Sequence, residues 1–144
     1  MSGYVPRGSI AAVAFTRRNL KELDDLGSNF DGPPDLEFRL GGLALELEQS
    51  GLSYQRVPPG YRFPYGHVHK EQEELYVVVR GSGRMKLDDE IIEVKKLDVV
   101  RVAPGTWRGY EAGPDGLEIL VFGAPHLGGN PRGDVEGQRD WWAD

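Results

Sequence analysis

The chain has 144 residues, 39% of them apolar, and that length and apolar share suit one domain with its own core. A formal net charge of −6 with no Lys/Arg-rich run argues against nucleic acid and anionic membrane surfaces, whose phosphates need a basic face. There is no cysteine, which excludes disulfides, zinc–thiolate clusters and thiol nucleophiles and leaves nitrogen and oxygen ligands for any metal.

The opening residues, with Gly3, Pro6 and Gly8, read as loose chain. The apolar run Ile10 to Phe15, followed by Arg17 and Arg18, is too short for a signal-peptide core. No stretch approaches the ~18 apolar residues of a membrane span, so the expectation is a soluble, cytoplasmic protein with no membrane partner. Residues 19–27 carry the best helix signal. Asn19 can cap, Leu20, Leu23 and Leu26 recur at spacing three, and Gly27 can close the C-terminus. Residues 28–35 (SNFDGPPD) read as a loop, which makes 1–35 an N-terminal extension with one short helix.

From Leu36 to Phe122 the texture is β. The segments LEFRL, LALELEQ, LSYQRV, ELYVVV, RMKLD, EIIEVK, VVRVA, WRGYEA and LEILVF are punctuated by GG at 41–42, SG at 50–51, PPG at 58–60, GSG at 81–83, DD at 88–89, APG at 103–105 and AGPDG at 112–116. Many short strands at such spacing predict an antiparallel sandwich or barrel over residues 36–123. In LALELEQ, Leu43, Leu45 and Leu47 would share one face and Glu46 and Glu48 the other. ELYVVV is apolar on both faces and is predicted to be a central strand covered on both sides. Gly81-Ser82-Gly83 reads as a hairpin turn. The tail, 124–144, is rich in glycine and charge and ends RDWWAD; Trp141 or Trp142 is expected to dock on the barrel or on a second subunit, because exposing both indoles is costly. Arg132-Gly133-Asp134 matches a cell-adhesion tripeptide, which is treated as chance in a chain without an export signal.

The stretch GHVHKEQEELYVVVRG, residues 66–81, carries the chemistry. On a strand, positions i and i+2 point the same way, so His67 and His69 can converge on one point. Glu74 lies seven residues after His67, an odd offset that needs a bend, and the polar run Lys70-Glu71-Gln72-Glu73 can supply it. Glu74, Tyr76 and Val78 would then face the same interior. Two neutral imidazoles and a carboxylate form an open ligand set for Fe(II), Mn(II), Ni(II) or Zn(II). There is no GxSxG elbow, phosphate loop, dinucleotide fingerprint or HExxH, and no nucleotide cofactor is expected.

These residues resemble the first motif of the cupins, small jelly-roll β-barrel proteins: Gly60, His67, His69, Glu74 and Gly81 match it, with one extra residue between Gly60 and His67. The second cupin motif has its counterpart in LDVVRVAPGTWRGY, residues 97–110. There Gly105 matches, while Leu97 stands for a glycine, Ala103 for a proline and Arg108 for the metal-binding histidine. The resemblance implies an all-β antiparallel jelly-roll barrel, a homodimer and a small-molecule ligand. For function it implies an enzyme of dioxygenase or isomerase type on a small polar or anionic substrate, or a metal-free binding or sensing module.

Arginine is permanently charged and is not a metal ligand. Three arrangements follow. Metal binds through His67, His69 and Glu74 while Arg108 holds an anionic substrate; or Arg108 pairs with Glu74 and replaces the metal; or Arg108 turns away to solvent. Metal-free acid–base catalysis, with His67 or His69 as base and Tyr76 or Tyr110 as acid, is a further possibility. The expected catalytic set is thus Glu74, Arg108, Tyr76 and Tyr110, and the metal set His67, His69 and Glu74. Tyr61 and Tyr65 are further candidates for the pocket wall, Trp107 is expected on the outer face or at a dimer contact, and His126, past the last strand, is expected at the surface.

Overall fold

The computed structural model describes residues 14–125 and 131–143, and everything below concerns those residues. The expectations for the first residues and for His126 lie outside them. The strands are β1 (Glu37–Leu40), β2 (Gly51–Val57), β3 (Tyr65–His69), β4 (Glu74–Leu87), β5 (Glu90–Lys95), β6 (Val99–Val102), β7 (Arg108–Gly123) and β8 (Val135–Arg139). All pairings are antiparallel. The fold is the expected antiparallel cupin-type barrel, a sheet curled on itself.

The helix expected over 19–27 is instead two 3₁₀ turns, Leu20–Glu22 and Gly27–Phe30. Asn19 does cap, accepting the Lys21 N–H at 2.9 Å. A leucine spacing of three matches the three residues per turn of a 3₁₀ helix, not the 3.6 of an α-helix. The chain then leaves the helical path to bind β1: the Asp25 carboxylate accepts the N–H groups of Gly27 and Phe38, and the Leu26 N–H donates to the Phe38 carbonyl.

LALELEQ is not a strand. The N–H groups of Leu45 and Leu47 donate back to the carbonyls of Gly41 and Gly42, so the segment closes on itself and leaves Leu43 96% exposed. Alternation was present without a neighbouring strand to pair with. A second correction concerns Gly81-Ser82-Gly83, which is not a hairpin turn but part of the 14-residue strand β4. AGPDG is likewise carried inside the 16-residue strand β7.

These two long strands pair along most of their length, with register shifts at Val78/Arg80 and Gly81/Gly83. Such bulges bend a strand and increase its twist. Gly81 sits at φ +79°, and a Cβ there would lie 2.0 Å from the Gly116 carbonyl oxygen, so only glycine lets the strands cross. The inward phase changes at the same place. Tyr76 and Val78 are buried on one side of the β4 bulge and Met85 on the other; β7 buries Tyr110 and Ala112, then Leu117, Ile119 and Val121. Even-numbered residues give way to odd ones in both strands, so one core runs through both halves of the curled sheet. Leu36, Val57, Phe63, Val94 and Val102 complete it.

ELYVVV is central, flanked by β6 and β7, but its second face is only partly covered: Leu75 is exposed and Val77 and Val79 are half-buried. The Asp88-Asp89 turn joins β4 to β5 as expected, with Asp88 in the left-handed region at φ 53°. The tail returns through a short helical turn, Pro131–Asp134, and β8 pairs along the whole of β3. Trp142 is buried beneath the Arg62 guanidinium, and Trp141 stacks on Trp107.

Candidate functional site

The expected bend falls at Lys70–Glu73, between the end of β3 and the start of β4. It brings His67, His69 and Glu74 onto one interior surface. Glu74 and Arg108 pair with opposite ends of each other's strands, Glu74 beside Gly123 and Arg108 beside Leu87. Their side chains meet because the sheet curls.

His67 Nε2 lies 3.5 Å from Glu74 Oε1, and His69 Nε2 lies 3.3 Å from Glu74 Oε2. The ligand atoms of all three residues lie within 4.8 Å of one another. Bonds of about 2.1 Å to one ion require separations of roughly 3–4 Å between neighbouring ligands, so this nitrogen–oxygen set suits a divalent transition metal. The Tyr76 hydroxyl donates to Glu74 Oε1 at 2.9 Å and lies 3.4 Å from His67 Nε2. On the far side of His69, Nδ1 faces Asp134 Oδ2 at 2.9 Å.

The electrostatics divide the two histidines. Burial lowers the pKa of His67, and the Arg108 charge adds to that against the pull of Glu74, so the imidazole is neutral at neutral pH. Burial also disfavours charge on His69, but Glu74 and Asp134 on its two sides outweigh it and raise the pKa. Burial pushes the Glu74 carboxyl up, yet the two histidines overcome this and hold it well below the usual carboxylate range. Burial and the Glu74 charge push the Tyr76 and Tyr110 phenols up, so both keep their protons.

These groups stand in the wall of a cavity of about 420 Å³. Its wall is aromatic, with Phe30, Phe38, Phe63, Tyr65, Tyr76 and Tyr110. Ser53, Gln55 and Gln72 add neutral polar groups. Tyr110 donates to Gln55 Oε1, and Gln55 Nε2 donates to Ser53 Oγ at 3.2 Å. Tyr61 is not on this wall.

Arg108 departs from the substrate-clamp expectation. Its side chain is 0% exposed and does not line the cavity. Its Nη1 lies 3.7 Å from Glu74 Oε1, and its Nε, Nη1 and Nη2 make no hydrogen bond among the described residues. The arrangement in which it turns to solvent is excluded by the same burial.

Asp134, Ser53, Gln55 and Phe63 escaped the sequence reading. Ser53 and Gln55 had a signal, since they are polar residues two apart on a predicted strand and so share one face. Asp134 had none, because it lies 65 residues from His69 in sequence.

Residues 53–122 match the family model for the cupin domain. An uncharacterized protein of Methanocaldococcus jannaschii is 45% identical over 60 residues, which cover 41% of this chain and 48% of that protein, so the chain spans about half the length of this curated relative. A cupin protein from Bacteroides fragilis superposes with a TM-score of 0.65 at 22% identity, covering 81% of this chain and 88% of its own. Pac13 of Streptomyces, described as a nucleoside dehydratase, gives a TM-score of 0.67 at 16% identity, covering 86% of this chain and 91% of its own. At these identities the two structures share the fold.

Proposed function

The chain is a member of the cupin family, and on that premise we propose that it is a metal-dependent small-molecule enzyme whose ion is held by His67, His69 and Glu74. The observation that carries this is the convergence of those three side chains in the wall of a largely aromatic cavity. A divalent ion there would act as a Lewis acid on a substrate oxygen. The chain's own groups offer proton transfer, as in isomerisation or dehydration, beside the oxygen chemistry that two histidines and a carboxylate also suit. Tyr76 holds a phenolic proton next to Glu74 and His67, in position to hand it to a leaving or rearranging oxygen.

The wall also supports a substrate class. No lysine or arginine lines the cavity among the described residues, so the described wall away from His67, His69 and Glu74 is neutral. Phe30, Phe38, Phe63 and Tyr65 offer flat apolar contact, and Ser53 and Gln55 offer neutral hydrogen bonds. Such a wall favours an uncharged molecule with a planar ring and hydroxyl or amide groups. The nucleoside dehydratase of the same fold supports this as an analogy.

A second reading rests on Arg108. Its charge already stands 3.7 Å from Glu74, as it would if the guanidinium replaced the metal in a ligand-binding module or a metal-free acid–base enzyme. Elemental analysis of untagged protein, alongside His67→Ala, separates the two. Near-stoichiometric metal that is lost in the variant supports the metal enzyme. No metal after incubation with Fe, Mn, Ni and Zn salts supports the second reading. A thermal-shift panel pairing neutral nucleosides and phenols with small carboxylates and phosphates tests the substrate class, and stabilisation by the anions alone would refute it.

A further inference from the structure

We infer that Asp134, delivered by the C-terminal segment, is a positioning residue that fixes the ring orientation and tautomer of His69. As a statement about metal binding it rests on the metal reading above; as a statement about the imidazole it does not.

Asp134 is buried, and both carboxylate oxygens are engaged. Oδ2 meets His69 Nδ1 at 2.9 Å, and Oδ1 accepts the Glu71 N–H at 2.6 Å. Its backbone carbonyl accepts the Lys70 N–H at 2.8 Å. The residue therefore grips the turn that separates His69 from Glu74. The segment that carries it is held against the same strand as the histidines. β8 pairs with β3 so that Val135 faces His69 and Gly137 faces His67. Beyond β8, Trp141 lies over Gly66, where a Cβ would sit 2.4 Å from the indole. Arg62 holds the Trp142 carbonyl at 2.7 Å and stacks over its ring. The tail is thus a strap along the ligand strand, with Asp134 at the point where it meets His69.

A neutral imidazole has one N–H and one bare nitrogen. His69 stands between two carboxylates, with Asp134 at 2.9 Å from Nδ1 and Glu74 at 3.3 Å from Nε2. The nearer acceptor takes the N–H. That leaves the Nε2 lone pair directed into the site, where a metal would need it. Without Asp134 the Nε2–H form, donating to Glu74, takes over and occupies the ligand position. Carboxylate partners of ligating histidines act in this way, and their loss typically lowers metal affinity ~10–100-fold.

Nitrogen-15 NMR of the metal-free protein, in alkaline solution where His69 is neutral, reads the tautomer directly. Zn(II) and Ni(II) affinities by chelator competition give the second readout. Wild type is expected to carry the proton on Nδ1. D134A should shift His69 toward the Nε2–H form and weaken both metals ~10–100-fold; D134N, which can accept from only one of the two N–H groups, should fall between and serves if D134A does not fold. E136A, at an exposed position two residues on in β8, should match wild type. An unchanged tautomer in D134A or D134N, with metal affinity within about twofold of wild type, would overturn the inference. If wild type takes up neither ion, the metal reading fails, and the tautomer shift alone decides the role of Asp134.

Discussion

The guanidinium of Arg108 lies 3.7 Å from the Glu74 carboxylate, and the two are unequal partners. Glu74 also receives the Tyr76 hydroxyl and faces both histidines. Arg108 is fully buried, and Glu74 is its one ion pair among the described residues. Removing one member of a buried pair costs about 3–5 kcal/mol when the other is stranded, whereas an apolar replacement of a poorly satisfied ion can be neutral or stabilising. Glu74→Gln strands the arginine; Arg108→Met leaves Glu74 with its other contacts. In metal-free protein, Glu74→Gln should therefore lose about 3–5 kcal/mol by chemical denaturation and Arg108→Met less than about 1 kcal/mol. Equal losses would show that the pair is symmetric and that Arg108 is held by more than Glu74.

Position 108 faces the same interior as the ligand set, which gives a separate expectation for metal. Arg108→His removes a permanent cation beside the site and adds an imidazole there. Zn(II) affinity should rise at least about tenfold, measured by chelator competition near neutral pH. No change would mean that residue 108 is too far from the ligand set to reach the ion, and that Arg108 has little influence on metal at all.

The crossing of β4 and β7 makes a prediction about the barrel. Gly81→Ala places a methyl 2.0 Å from the Gly116 carbonyl oxygen, on a backbone at φ +79°. Both obstacles are backbone, so no rotamer relieves them. The loss should be at least about 2 kcal/mol, well above the ~1 kcal/mol of an average substitution. Gly42→Ala, where a Cβ would meet nothing within 4 Å, is the matched control and should be near neutral. A mild Gly81→Ala would mean that the two strands can separate at the bulge.

Much of the site was legible because it obeys local rules. His67 and His69 share a face through the period of two, and the polar run 70–73 announced the bend that returns Glu74 to them. The Asp88-Asp89 turn was equally local. What was hidden depends on distant chain. GSG looked like a turn because glycine pairs mark turns, but here they serve a crossing, Gly81 against the Gly116 carbonyl and Gly83 against that of Glu111. LALELEQ alternated like a strand, yet strand pairing needs a neighbour and its N–H groups found local carbonyls first. Strand β8 carries no apolar alternation, since all five residues are exposed, so only its pairing with β3 makes it a strand. Asp134 shares that fate, because its role exists only once the tail has returned.

Acid stability offers a test away from the site. Asp25 and Glu37 tie the N-terminal turns to β1. Burial raises both carboxyl pKa values, but the Gly27 and Phe38 N–H groups at Asp25, and Lys21 and Arg39 at Glu37, outweigh it and leave both lowered. A lowered folded pKa means that the unfolded chain binds protons first as pH falls. The stabilisation is thus fully present above the ordinary carboxyl range, near pH 4, and disappears as pH drops through the folded values. In urea denaturation across a pH series, Asp25→Asn/Glu37→Gln should be less stable than wild type at neutral pH. Its stability should also fall less steeply on acidification, the two curves converging once pH has dropped through the lowered folded values. A constant gap between them at every pH would show that these carboxylates hold the N-terminal turns by packing or hydrogen bonding alone, with no contribution from their charge.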